Sequence, residues 1–196
     1  MHGLINRSIQ CFLRDTYGAD TWLRVAGEAR LAFDGFEAML TYDDALTEEV
    51  LVAASLVLAR PREAILEDIG TYLVSHPPLQ SLRRLLRFGG VGFVDFLHSL
   101  DDLQGRGLLA VPDLELPQLV LRDHTPSCFT LVCRSPHKGF GHVMLGVLRA
   151  MADDYGALVL LDHQGANGDC ETIQIDVLEA QFAEGRRFEL ATEAGA

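Results

Sequence analysis

Apolar residues recur at three- and four-residue intervals through the first half of the chain, and the second half adds short β-rich runs broken by Pro and Gly. Leu4, Ile5, Ile9, Phe12 and Leu13 share one face of a helix predicted over 2–16, which Gly18 and Asp20 end. A shorter helix is predicted from Thr21-Trp22-Leu23-Arg24-Val25. Thr41 with Asp44 has the form of a capping box opening a helix that runs to about Leu58. Pro61 suits the first turn of the next helix, and His76-Pro77-Pro78 closes it. Short helices are expected over 79–88 and, after Gly89-Gly90, over about 91–104.

Beyond Gly105-Arg106-Gly107 the pattern changes. Pro112 and Pro117 punctuate a stretch leading to two short strands, at 119–121 and 129–133. Residues 139–155 form a helix with Phe140, Val143, Met144, Val147, Leu148 and Met151 on one stripe. Segments 158–161 and 172–177 read as a hairpin joined by a long polar loop. The predicted class is α+β: a helical N-terminal lobe (about 1–60), then a lobe over 61–183 carrying a small antiparallel sheet with an inserted helix. Both lobes belong to one domain spanning 1–183, and 184–196 is expected to be a frayed tail.

Composition narrows the function. Sixteen Lys and Arg oppose 28 Asp and Glu, a net charge of −12. Such a surface argues against binding nucleic acid, which needs clustered cations, and against docking on an anionic membrane. The longest apolar run, 51–59, is about half the roughly 20 residues of a membrane span. Four scattered cysteines do not make a disulfide framework, and the first residues lack a signal-peptide pattern. A cytoplasmic protein is expected.

The segment 91–104 carries the most informative position. At 100° per residue, Phe93, Phe96, Leu97, Leu100, Leu103 and Gln104 fall on one face about 120° wide, so Gln104 points inward. A buried amide needs partners, because leaving it unsatisfied costs about 1–3 kcal/mol. It either caps carbonyls at the helix end or occupies a ligand position.

The opening Met1-His2-Gly3-Leu4-Ile5-Asn6, the run Leu100-Asp101-Asp102-Leu103-Gln104, Pro112, Pro117 and Met144-Leu145-Gly146-Val147-Leu148 together resemble the heme–nitric oxide/oxygen binding (H-NOX) family. The resemblance spans about residues 1–180. It implies a sensory or regulatory domain, not an enzyme, with heme b between its lobes and nitric oxide as the sensed gas. Ile5, Leu97, Leu100, Gln104 and Pro117 would then line the cofactor pocket. The family's stand-alone bacterial members act on a histidine kinase or a cyclic-di-GMP enzyme, and the resemblance implies such a partner here.

Two of the family's heme anchors are altered. The histidine that follows Leu-Asp-x-Leu and ligates iron is replaced by Gln104, whose amide oxygen is a harder and weaker donor than imidazole. The Tyr-x-Ser-x-Arg that grips the propionates becomes Cys133-Arg134-Ser135-Pro136-His137, retaining only Ser135. Strand alternation places Cys133, Ser135 and His137 on one face and Arg134 on the other. His98 and His137 are the weaker candidates for a substitute iron ligand. Two other readings stay open: a heme-free interaction protein of the same fold, and an apolar pocket for a non-heme ligand.

A metal reading has less support. His124, Cys128, Cys133, His137 and His142 lie within nineteen residues, but their spacings differ from those of structural zinc sites. Catalytic motifs are missing: Gly139-Phe140-Gly141 is too short for a phosphate loop, and Ser135 with His137 has poor geometry for a nucleophile and base.

Overall fold

The computed structural model describes residues 1–111 and 113–185; Pro112 and most of the expected C-terminal tail lie outside them. Helix α1 (Gly3–Tyr17) buries Ile9, Phe12 and Leu13, starts with the His2 Nδ1 accepting from Leu4 N–H, and stops at Gly18 with φ 92°. Helix α2 (Ala19–Glu28) follows at once. Helix α3 (Asp44–Leu58) is capped by the Asp43 carboxylate accepting from Ala45 N–H at 2.9 Å. The expected Thr41 cap is not used, because Thr41 forms a β-bridge with His2. Helix α4 (Arg62–Ser75) follows Pro61, and α5 (Gln80–Arg87) follows a 3-10 turn at 77–79.

The single helix expected over 91–104 is instead three pieces: α6 (Phe93–His98), a 3-10 turn (Ser99–Asp102) and α7 (Leu103–Ala110). Helix α7 continues through Gly105-Arg106-Gly107, where the sequence suggested a break. The 3-10 turn has a physical consequence. It advances about 120° per residue instead of 100°, so Gln104 is rotated roughly 60° further from Leu100 than a continuous α-helix would place it.

Four antiparallel strands form one sheet: β1 (Gln118–Thr125), β2 (Cys128–Arg134), β3 (Leu158–Asn167) and β4 (Cys170–Glu179), in the order β1-β2-β4-β3. Helix α8 (Phe140–Tyr155) connects β2 to β3 and packs on one face. Strands β3 and β4 are longer than expected, leaving only residues 168–169 between them. Cross-strand register pairs Phe129 with Ile175, Leu131 with Ile173 and Cys133 with Glu171, all on the face toward α8.

Two apolar clusters fill the molecule. One gathers Ile9, Phe12, Leu13, Trp22, Phe36 and Val50 with Ile65 and Ile69 of α4. The other gathers Phe93, Phe96, Leu97 and Leu100 with the sheet and α8. Helices α4 and α8 join them where two glycines cross. A Cβ on Gly70 would lie 2.0 Å from Val143 O, and one on Gly146 would lie 1.9 Å from Glu67 O. Only glycine permits this backbone approach. At the C-terminal end of α8 the buried Asp154 is clamped by Arg83 at 2.5–3.1 Å, and Arg87 donates to Asp154 O at 3.0 Å and covers the Tyr155 ring. Charge burial on this scale is tolerable because each oxygen is hydrogen-bonded.

Candidate functional site

Gln104 is half-buried at the start of α7, and its Nε2 donates to Leu116 O at 3.3 Å. Its amide thus secures the segment entering β1. Leu97 and Leu100 are fully buried in the cluster formed with the sheet and α8. Ile5 packs in the other cluster, that of the N-terminal lobe. Pro117 is buried just before β1. Leu97 and Leu100 thus belong to one apolar cluster and Ile5 packs against the other.

The 133–137 stretch runs off the end of β2. Cys133 and Ser135 are buried while Arg134 is exposed, with its Nε donating to Cys170 Sγ on the outer face. The Ser135 hydroxyl accepts from His137 N–H at 3.1 Å, closing a local turn. His137 lies between carboxylates: Asp44 of α3 is 3.6 Å from its Nδ1, and Glu115 is 3.5 Å from its Nε2. Behind them stands Glu171, which sequence reasoning missed. Its side chain is only 9% exposed; one oxygen accepts from Gly139 N–H at 2.7 Å and the other from His163 Nε2 at 3.0 Å. Burial, reinforced by the Glu171 charge, pushes the Cys133 thiol up to about 12.

The remaining histidines and cysteines scatter. His98 is half exposed beside Asp123 and edge-on to Phe129. His124 pairs with Thr130 Oγ1 at 2.7 Å, and Cys128 accepts from Gln174 Nε2. The five-residue group considered for zinc does not converge: alternation along β2 sends Cys128 and Cys133 to opposite faces, and His142 lies on α8. His142 instead stacks on His163 across the α8–sheet interface.

A cleft of about 430 Å³ opens between α1 and α4, lined by Phe12, Tyr17, Arg60, Asp68, Tyr72 and His76. A smaller one of about 150 Å³ lies beside Val91–Asp95 and Tyr155. Neither is lined by Ile5, Leu97, Leu100, Gln104 or Pro117. Among the described residues no helix is long and apolar enough to cross a membrane.

A helical lobe joined through α4 and α8 to a four-stranded sheet is the architecture of H-NOX sensor domains. The Fe(II) unliganded H-NOX protein from K. algicida superposes with a TM-score of 0.77 at 19% identity, covering 94% of this chain and all of that one. An S. oneidensis H-NOX variant in the Fe(II) ligation state gives 0.77 at 14% identity, over 92% and 98% of the two chains. The sequence matches the Haem-NO-binding family over residues 2–163, and the chain belongs to that family.

Among curated relatives, soluble guanylate cyclase gcy-31 of Caenorhabditis elegans is 26% identical over 79% of this chain and 22% of its own length. Soluble guanylate cyclase 89Db of Drosophila melanogaster is 22% identical over 81% and 24%. The chain spans about a quarter of the length of these relatives, both animal proteins.

The residues present do not fit the family's way of holding heme. The ligand position holds an amide whose Nε2 donates to Leu116 O and whose oxygen is a harder, weaker donor to iron than imidazole. At the expected propionate grip, Cys133 faces Glu171 across the strands and His137 lies between Asp44 and Glu115. A buried carboxylate there would repel a propionate, and Leu97 and Leu100 are fully buried in the core.

Proposed function

We propose that this protein is an H-NOX-type regulatory domain that works without histidine-ligated heme and passes its signal to a separate signalling enzyme. The single observation that carries this reading is the amide at the ligand position: Gln104 Nε2 donates to Leu116 O while Leu97 and Leu100 are fully buried in the core. Glu171 supports it: the carboxylate accepts from Gly139 N–H and His163 close to Cys133, a position of the expected propionate grip. The output would then depend on how the two lobes sit on the α4–α8 joint. A cyclase effector is proposed from the relatives, and a histidine kinase or cyclic-di-GMP enzyme from the family resemblance.

The test is visible absorption after expression with heme precursor, followed by heme titration of the protein and of Gln104→His. The expected result is a protein without a stoichiometric Soret band, and a variant that gains no five-coordinate ferrous spectrum. A stoichiometric band that shifts with nitric oxide would overturn the proposal in favour of a gas sensor with rebuilt ligation.

A further inference from the structure

Two histidines and a buried glutamate from three elements meet at the junction of α8 with the sheet. His142 comes from the first turn of α8, His163 from β3 and Glu171 from β4; one donor atom of each lies within 4.8 Å of the others. We propose that His142, His163 and Glu171 bind a divalent transition cation, with Zn²⁺ the ion best suited to two imidazoles and a carboxylate. The proposal shares only Glu171 with the expected propionate grip and does not rest on the heme reading, because Zn²⁺ binding is read without heme.

Several features favour a site over a chance cluster. Glu171 is held by the Gly139 amide through one oxygen, which leaves the other for a cation. The Glu67 carboxylate of α4 stands 3.4 Å from His142 Nδ1 and is itself held by Arg149 at 3.1 Å. An outer carboxylate of this kind fixes the tautomer of a ligating histidine and raises its basicity, leaving Nε2 to bind. Gly141 keeps the space open: a Cβ there would lie 2.6 Å from Glu171 Oε2 and 2.8 Å from His163 Nε2. Three protein donors leave a fourth position for water or an external ligand.

The metal-free arrangement requires adjustment. The two imidazoles stack with centroids 4.0 Å apart and planes 16° from parallel. Parallel rings cannot both aim a lone pair at one ion, so binding turns His142, the more exposed of the two, about its Cβ–Cγ bond. The donors then close to about 3.3 Å apart, the edge of a tetrahedron with bonds near 2 Å. His163 is a second moving part. Its Nδ1 now accepts from Gly165 N–H at 3.2 Å, which puts the ring proton on Nε2 facing Glu171. A cation takes Nε2, the neutral ring carries its proton on Nδ1, and the Gly165 amide loses its acceptor. The β3–β4 register already shifts between His163 and Ala166, so the turn can absorb this change. A bound cation would thus tie α8 to both strands of the hairpin.

The experiment is Zn²⁺ titration of the full chain, stripped with chelator, against a chromogenic competitor. One saturable equivalent is expected, and His142→Gln, His163→Gln and Glu171→Gln should each weaken it by about tenfold or more. His124→Gln should leave it unchanged. Co²⁺ in place of Zn²⁺ should give d–d bands without thiolate charge transfer. Should a variant fail to fold, amide NMR of the unaltered chain decides: saturable Zn²⁺-dependent shifts at Gly165 and Gly139 support the site. No saturable binding, retention of affinity in the histidine variants, a thiolate band, or loss of binding in Cys128→Ser or Cys170→Ser overturns it.

Discussion

Replacing Gly146 by alanine should separate the two lobes' shared joint. The added methyl would meet Glu67 O at 1.9 Å, Glu67 C at 2.8 Å and Thr71 N at 2.9 Å, all backbone atoms of α4. Because backbone cannot step aside as a side chain would, α4 and α8 must part locally by about 1 Å or more to restore ordinary contact. Overpacking of this kind costs about 3 kcal/mol, at the upper end of its usual range. Alanine recovers about 1 kcal/mol through its higher helix propensity. The net loss is about 2 kcal/mol, and the midpoint of urea unfolding followed by circular dichroism should fall by about 1 M at a slope near 2 kcal/mol/M. Gly70→Ala meets Val143 O at 2.0 Å and should behave alike, with the double variant less than additive because one separation relieves both clashes. Gly27 is the control, a helical glycine with nothing within 4 Å of its would-be Cβ. Gly27→Ala should stabilise by up to about 1 kcal/mol. If Gly146→Ala stabilises as Gly27→Ala does, the α4–α8 joint described above is wrong.

Other outcomes follow from single interactions. Asp154→Asn leaves Arg83 and Arg87 around a neutral amide in a buried setting, and should cost about 3–5 kcal/mol in the same unfolding assay; a change below about 0.5 kcal/mol would mean the clamp is not formed. Cys133 holds its thiol proton in the folded state up to about pH 12, whereas an unfolded thiol releases it near 9. Deprotonation then favours the unfolded chain as pH rises, so stability should fall from about 9 toward 12, and Cys133→Ala should flatten that limb. A steep limb persisting in Cys133→Ala would assign it to another group. Below pH 9 the same thiol should resist alkylation while the partly exposed Cys11, Cys128 and Cys170 react, as mass spectrometry of the modified chain would show.

Local signals in the sequence determined most of the elements. The apolar periods of α1 and α8, Pro61 at the head of α4 and Gly18 after α1 act over a few residues, and those helices form where they place them. Strand alternation likewise determined that Arg134 faces away from Cys133 and Ser135. Signals for Glu171 and His163 were present too: extending the alternation of Ile173 and Ile175 back two residues, and of Val159 and Leu161 on by two, reaches both on the inner face. The polar composition of 162–171 masked them, because hairpin pairing, not local hydrophobicity, keeps those residues extended.

Tertiary structure alone decided the rest. The 3-10 turn at 99–102 moved Gln104 off the apolar stripe, and no helical wheel drawn at one fixed angle could show that. Whether Ile5 and Leu97 line one cavity or separate cores depends on how the lobes pack. The His142–His163–Glu171 cluster depends on contacts between elements up to 29 residues apart in the chain. Periodicity fixes which face of an element is apolar; only the packing of faces against one another decides which polar groups those faces enclose.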